Sequence, residues 1–174
     1  QSTTLAPGTY CGGLEISGRH DVALEPGVYV IKDGPLKVDK GANLHGAAVG
    51  FYLTGSGAEL QFDSDSTISL EASEDGVMAG LLFFESRLQS TSATHQLMSD
   101  DARVMVGTIY LPQGRLLIGG SSQVGGESAY TAIVARTLEV EDGPTVVLNT
   151  DYDLTNVPVP EGIRGTGEPV KLTE

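Results

Sequence analysis

The sequence predicts an all-β protein wound as a right-handed parallel β-helix, a solenoid of about six short coils with three strands per coil. Three observations predict it. The first is a repeat near 22 residues. Aligned on an aromatic or bulky residue, the first run of each coil falls at Tyr10, Tyr29, Tyr52, Phe83, Tyr110 and Ile133. Aligned on leucine, the second run falls at Leu14, Leu36, Leu60, Leu97, Leu116 and Leu138, in steps of 22, 24, 37, 19 and 22 residues. The second is strict alternation inside these runs, as in Leu14-Glu15-Ile16, Leu36-Lys37-Val38, Leu60-Gln61-Phe62 and Leu138-Glu139-Val140, which turns apolar side chains inward and polar ones outward. The third is turn chemistry: 23 Gly and 8 Pro punctuate short apolar runs, and no long stretch has a 3.6-residue pattern. An antiparallel sandwich also has many short strands, but it gives no reason for runs to recur in threes. Right-handed winding follows from the handedness of parallel crossovers.

The stretch from Pro26 to Leu53 shows one full cycle. Val28-Tyr29-Val30-Ile31 turns at Asp33-Gly34-Pro35 into Leu36-Lys37-Val38, which turns at Lys40-Gly41 into Ala42-Asn43-Leu44. A further turn at His45-Gly46 restarts the cycle at Val49. Runs this short bury little alone and need a copy on each side. Third runs follow at Val22-Ala23-Leu24, Thr67-Ile68-Ser69-Leu70, Ala102-Arg103-Val104, Gln123-Val124 and Val146-Val147-Leu148. Residues 1–150 therefore read as the β-helix domain, interrupted by a polar stretch, 86–101, expected to protrude as a loop. Residues 151–174 read as an extended C-terminal cap and tail, with Val157-Pro158-Val159-Pro160 favouring polyproline backbone.

Composition narrows the function. A net charge of −13 opposes nucleic acid and anionic membranes, since both would repel the surface. No apolar run approaches the roughly 20 residues of a membrane-spanning helix, so direct membrane insertion by this segment is not expected. A start at Gln1 without Met suggests a mature or excised fragment. Cys11 is the single cysteine. It reads either as a small buried hydrophobe or as a thiol whose partner lies on a preceding segment or another chain.

Solenoids of this kind host polysaccharide lyases and hydrolases, which makes catalytic motifs relevant. Asn149-Thr150-Asp151 and Asp100-Asp101 match two short polygalacturonase motifs in reversed order, but that family's Gly-His-Gly and Arg-Ile-Lys motifs are missing. A coil end and a loop turn account for both. Asp63-Ser64-Asp65, Glu74-Asp75, Asp100-Asp101 and Glu139-Val140-Glu141-Asp142 could each lend oxygen ligands to Ca²⁺, though none has EF-hand spacing. A solvated acidic surface is the plainer reading. His20, His45 and His95 are scattered without paired spacing and read as turn or surface residues. No Gly-x-Ser-x-Gly elbow, phosphate loop or Cys-x-x-Cys is present. Tyr10, Tyr29, Tyr52 and Tyr110 read as one recurring coil position, stacked inward; an outward ladder would instead offer a glycan surface. Thr54, Thr67, Thr108, Thr131 and Thr145 do not recur at one register, which argues against an ice-binding face.

Several blocks in one order carry a resemblance. They are Pro7-Gly8-Thr9-Tyr10-Cys11-Gly12-Gly13-Leu14-Glu15-Ile16, Pro26-Gly27-Val28-Tyr29-Val30-Ile31-Lys32-Asp33-Gly34-Pro35-Leu36, and Phe51-Tyr52-Leu53-Thr54-Gly55-Ser56-Gly57-Ala58. Later come Gly107-Thr108-Ile109-Tyr110-Leu111-Pro112, Tyr130-Thr131-Ala132-Ile133-Val134-Ala135-Arg136-Thr137-Leu138, and Leu148-Asn149-Thr150-Asp151-Tyr152. Over residues 5–162 the chain resembles the C-terminal region of TadG-related proteins of bacterial Tad (Flp) pilus assembly, departing from it at the acidic Glu71-Ala72-Ser73-Glu74-Asp75. The resemblance implies a cell-surface or extracellular protein, anchored through a membrane segment upstream, with an upstream cysteine as disulfide partner for Cys11. It implies other pilus or envelope proteins, or copies of itself, as partners. It supplies no catalytic residues to transfer. The function expected is thus a non-catalytic structural and adhesive module, able to self-assemble end to end. The alternative is a carbohydrate-binding or polysaccharide-degrading β-helix protein.

Overall fold

The computed structural model describes residues 1–163. They are almost wholly β, with one 3-10 turn at Tyr152–Leu154. The chain winds as a parallel β-solenoid with three faces. The first face stacks β2 (Gly8–Cys11), β5 (Gly27–Lys32), the second half of β7 (Asn43–Thr54), β10 (Leu81–Glu85), the middle of β12 (Asp101–Ile118) and the start of β14 (Thr131–Val140). On the second face lie β3 (Leu14–Ser17), β6 (Leu36–Asp39), β8 (Leu60–Phe62), β11 (Thr94–Leu97) and the ends of β12 and β14. The third face holds β1 (Ser2–Leu5), β4 (Asp21–Leu24), the start of β7, β9 (Thr67–Ala72), the start of β12, β13 (Gln123–Val124) and β15 (Thr145–Val146). About seven turns result, against about six expected, because the third face gains a strand at the very start of the chain.

The core is a column filled from all three faces. Tyr29, Phe51, Phe83, Ile109 and Ile133 share one register position on the first face, and the rings of Tyr29, Phe51 and Phe83 stack 5.3–5.4 Å apart. The expected single tyrosine position is therefore corrected. Tyr29 points inward and is fully buried, whereas Tyr52 pairs with Val30, Phe84 and, through it, Tyr110 on the outer surface. Tyr10 pairs with Ile31 in the first rung. A slip of one residue along a strand reverses the face, and Phe51-Tyr52 and Phe83-Phe84 offer an aromatic to either side.

The leucine alignment is corrected at one rung. Leu14, Leu36 and Leu60 pair in series, but Leu97 pairs with Phe62, so the leucine position in that rung is taken by His95. Outside the column, ion pairs such as Lys37–Glu15 (3.4 Å), Arg115–Glu139 (2.7 Å) and Arg103–Glu127 (3.3 Å) join successive rungs. Each is exposed and adds little. The Ser17 hydroxyl and the Lys37 ammonium hold the Asp39 carboxyl below the usual carboxylate range.

The segment after Asn149 does not lie across the last rung. It runs back along the corner between the third and first faces, with Val157 buried in the core and the Tyr130 hydroxyl donating to Pro158 O (2.7 Å). Gly80, at φ +73°, leaves room there: a Cβ at that position would collide with the Pro158 carbonyl. The rest of the predicted tail, 164–174, lies outside the described residues. On the last rung Leu138 and Val140 are 50% and 51% exposed.

Candidate functional site

Two longer connections interrupt the regular winding: 73–80, between β9 and β10, and a loop, 86–93, between β10 and β11, beside which two grooves lie. The loop is shorter than the 86–101 stretch expected, because Thr94–Leu97 regains the ladder as β11 and Asp101 opens β12. Alternation in Thr94-His95-Gln96-Leu97 buries His95 and Leu97 and turns the other two outward, which restores the strand.

At the base of the loop sits a buried polar clamp. Glu85 closes β10 and His95 lies in β11, both with no exposed surface. His95 Nδ1 accepts from the Leu60 backbone N–H (3.2 Å), so Nε2 carries the ring proton and donates to Glu85 Oε1 (2.9 Å). Glu85 Oε2 accepts from the backbone N–H groups of Gln113 (2.7 Å) and Gly114 (3.0 Å). These amides lie where β12 shifts register between Leu111 and Arg115 and the regular ladder offers them no carbonyl. Gly114 must lack a side chain, since a Cβ there would fall within 2.5 Å of His95 Nε2. The expectation that His95 is a turn or surface residue is thereby overturned. His45, by contrast, is exposed and pairs with Asp21 at 3.3 Å.

The loop itself is tied down on both sides. Gln89 donates to Ala58 O (3.1 Å) toward the rung before it, and Arg136 donates to Thr91 O (2.9 Å) from the last rung. Ser90 and Ser92 bond each other's hydroxyls (2.7 Å) within it. Leu88 stands 96% exposed at its tip. A groove of about 470 Å³ lies on one side, lined by Gly55, Ser56, Glu59, Gln89 and Ser90 among others. A second, of about 410 Å³, lies on the other, lined by Thr91, Ser92, Thr94, Arg115, Arg136 and Thr137.

Other candidates fare differently. The outer ladder Tyr52–Phe84–Tyr110 stacks at 5.8 and 5.3 Å with its rings turned toward one another. Phe84 lies between the two tyrosines, so both of its faces and one side of each tyrosine ring are taken up by these contacts. Cys11 is exposed, which removes the buried-hydrophobe reading. Asp101 begins a third-face strand and pairs with Arg103 (3.2 Å), whereas Asn149–Asp151 bonds with 128–131 beyond the other end of that face. The two motifs are not adjacent. Among the described residues no three His, Cys, Asp or Glu side chains gather as a metal site, so Asp63, Asp65, Glu74, Asp75, Glu139, Glu141 and Asp142 stay dispersed or paired. Glu141, hydrogen-bonded to Glu139 on the last rung, has its carboxyl raised above the usual range. No helix among the described residues is long and apolar enough to cross a membrane.

Fold and site together define a class: a parallel β-solenoid with one organised loop between two polar grooves. Comparison with family models, with curated proteins and with solved structures finds no match.

Proposed function

We propose that this chain is a non-catalytic structural and adhesive module that works outside the bacterial cell, in a Tad-type pilus or related surface filament. The observation that carries the reading is the loop at 86–93. Most corners of the solenoid are tight turns or continuous strand; this connection and the one at 73–80 are longer, and this one is braced by side chains from rungs on both sides. A stiff column with one braced loop suits display to a partner. The resemblance of the ordered sequence blocks to TadG-related proteins supports the pilus setting. Partners would be other envelope proteins or further copies of the chain. The half-exposed Leu138 and Val140, beside the outer edge of β14, give such a copy an apolar surface to cover. Exposed Cys11 is open to a thiol from a preceding segment or another chain.

Immunogold electron microscopy on intact source cells, with antibody raised against this domain, tests the proposal. Label on filaments or at discrete envelope sites is expected. A domain soluble in the medium, with cells unlabelled, overturns it. A second reading, glycan binding, is favoured by the hydroxyl- and arginine-lined groove beside the loop.

A further inference from the structure

We propose that the groove between the 86–93 loop and the last two rungs binds a carboxylate-bearing sugar, with Arg136 as its anchor. The assignment rests on the adhesive reading for its biological setting and on four observations for its chemistry.

First, Arg136 is a cation without a carboxylate. Among the described residues Lys37, Arg103 and Arg115 sit within ion-pair distance of an acidic side chain; Arg19, Lys32, Lys40, Arg87 and Arg136 do not, and of these five Arg136 is the one that lines the groove, with its contact to the neutral carbonyl of Thr91. That exposed bond uses Nη1 and leaves the other donors of the fork for an incoming anion. Second, the contact joins residues 45 apart in sequence, so the anchor and the loop wall are positioned before any ligand arrives. Third, on a chain of net charge −13 the groove lining holds two cations and no acidic side chain, although the Glu59 carboxylate reaches the Thr94 N–H (3.2 Å) from the neighbouring groove. Arg115 is offset by Glu139, while Arg136 has no such offset. Fourth, the remaining lining is Thr91, Ser92, Ala93, Thr94 and Thr137. Hydroxyls that both donate and accept match a polyhydroxylated ligand. A peptide is the poorer fit. The groove holds no aromatic or long apolar pocket for an anchor side chain, and the backbones of Arg115 and Thr137 are already paired with each other.

Amide chemical-shift titration of the domain tests the assignment, with oligogalacturonate, a sialylated trisaccharide and free glucuronate as probes. The methyl ester of the first serves as neutral control, and inorganic sulfate as a plain anion. Expected are saturable shifts confined to 91–94, 115 and 136–137 with at least one acidic oligosaccharide, and none with the ester. Arg136→Gln keeps a donor for Thr91 O and loses the charge. It should weaken binding about tenfold or more, equivalent to about 1.4 kcal/mol per decade, with the loop shifts of 86–93 otherwise intact. Arg136→Lys, a point charge without the fork, should fall between. Salt should weaken binding in step with screening. Sulfate matching the sugars would reduce the site to a plain anion site and overturn the sugar assignment. So would equal binding of the ester, unchanged affinity in Arg136→Gln, shifts mapping elsewhere, or no saturation by any acidic probe up to about 10 mM. None of these outcomes depends on where immunogold label falls, so failure here and failure of the surface reading are separable.

Discussion

Replacing Glu85 with Gln isolates the clamp at the base of the loop. In the native fold one carboxylate accepts three hydrogen bonds, from His95 Nε2 and from the Gln113 and Gly114 amides. A glutamine carbonyl can still serve the two amides, but its NH₂ then faces the Nε2 proton of His95. Moving that proton to Nδ1 relieves this clash and turns it against the Leu60 amide, which needs Nδ1 as acceptor. Either way one buried N–H is left without a partner, at a cost of about 1–3 kcal/mol. The surviving bonds to the amides lose their charge assistance, while the neutral side chain relieves some desolvation. The net loss is about 2–4 kcal/mol, a large share of the roughly 5–15 kcal/mol that holds a domain folded. Urea unfolding at neutral pH measures it, and amide exchange locates it. Leu60, Gln113 and Gly114 should lose protection first, and Gly114→Ala should reproduce the pattern by driving a Cβ into His95. A double-mutant cycle with His95→Gln should give a coupling of about 1–3 kcal/mol. The exposed Arg115–Glu139 pair should give about 0.2–1 kcal/mol. A loss below about 0.5 kcal/mol for Glu85→Gln, within the range of ordinary surface changes, would refute the clamp argument.

Two further tests address the column. Phe51→Ala opens a cavity between two buried ring neighbours and should cost about 3–5 kcal/mol. Phe84→Ala, one rung on but on the outer ladder, should cost less than half of that in the same urea assay; equal losses would mean that the inner and outer assignments are wrong. At alkaline pH, burial, with Tyr10 and Glu25 close by, pushes the Tyr29 hydroxyl up to about 12 from its usual 10.0. The fold favours the neutral phenol, so this stability is intact below pH 10 and drains away as pH rises through about 12. Burial raises the Tyr130 hydroxyl too. Melting temperature should therefore fall between those limits, with a shallower fall in Tyr29→Phe, and a flat profile would contradict the buried placement of Tyr29.

The winding was legible in the sequence because three separate signals agree on it: the repeat near 22 residues, the alternation within runs, and turns rich in glycine. Register was not legible, because it is decided by pairing between rungs, and Phe51-Tyr52, Phe83-Phe84 and Ile109-Tyr110 each offer two bulky residues for one inward position. The clamp was hidden for a related reason. His95 looks isolated in sequence, since its partners are a carboxylate ten residues away and the backbone amide of Leu60. A signal existed in the 37-residue step from Leu60 to Leu97: with 86–93 as the loop, the leucine position falls on His95.

That displacement explains why a carboxylate and an imidazole occupy positions that leucines fill in neighbouring rungs, Leu53 for Glu85 and Leu60 for His95. The inserted loop lifts the chain off the ladder and leaves the amides of Leu60, Gln113 and Gly114 without carbonyls, and the clamp supplies the acceptors. Stability alone favours a rung with no loop and a wholly apolar interior, because burying a charged group costs several kcal/mol before its bonds offset it. The chain instead carries the loop, clamps its base, and braces its length with Gln89 and Arg136. Ordering a loop before a partner arrives lowers the entropy lost on binding. Bracing of this kind adds nothing that the column needs to stand, and it is what a recognition element needs to hold its shape.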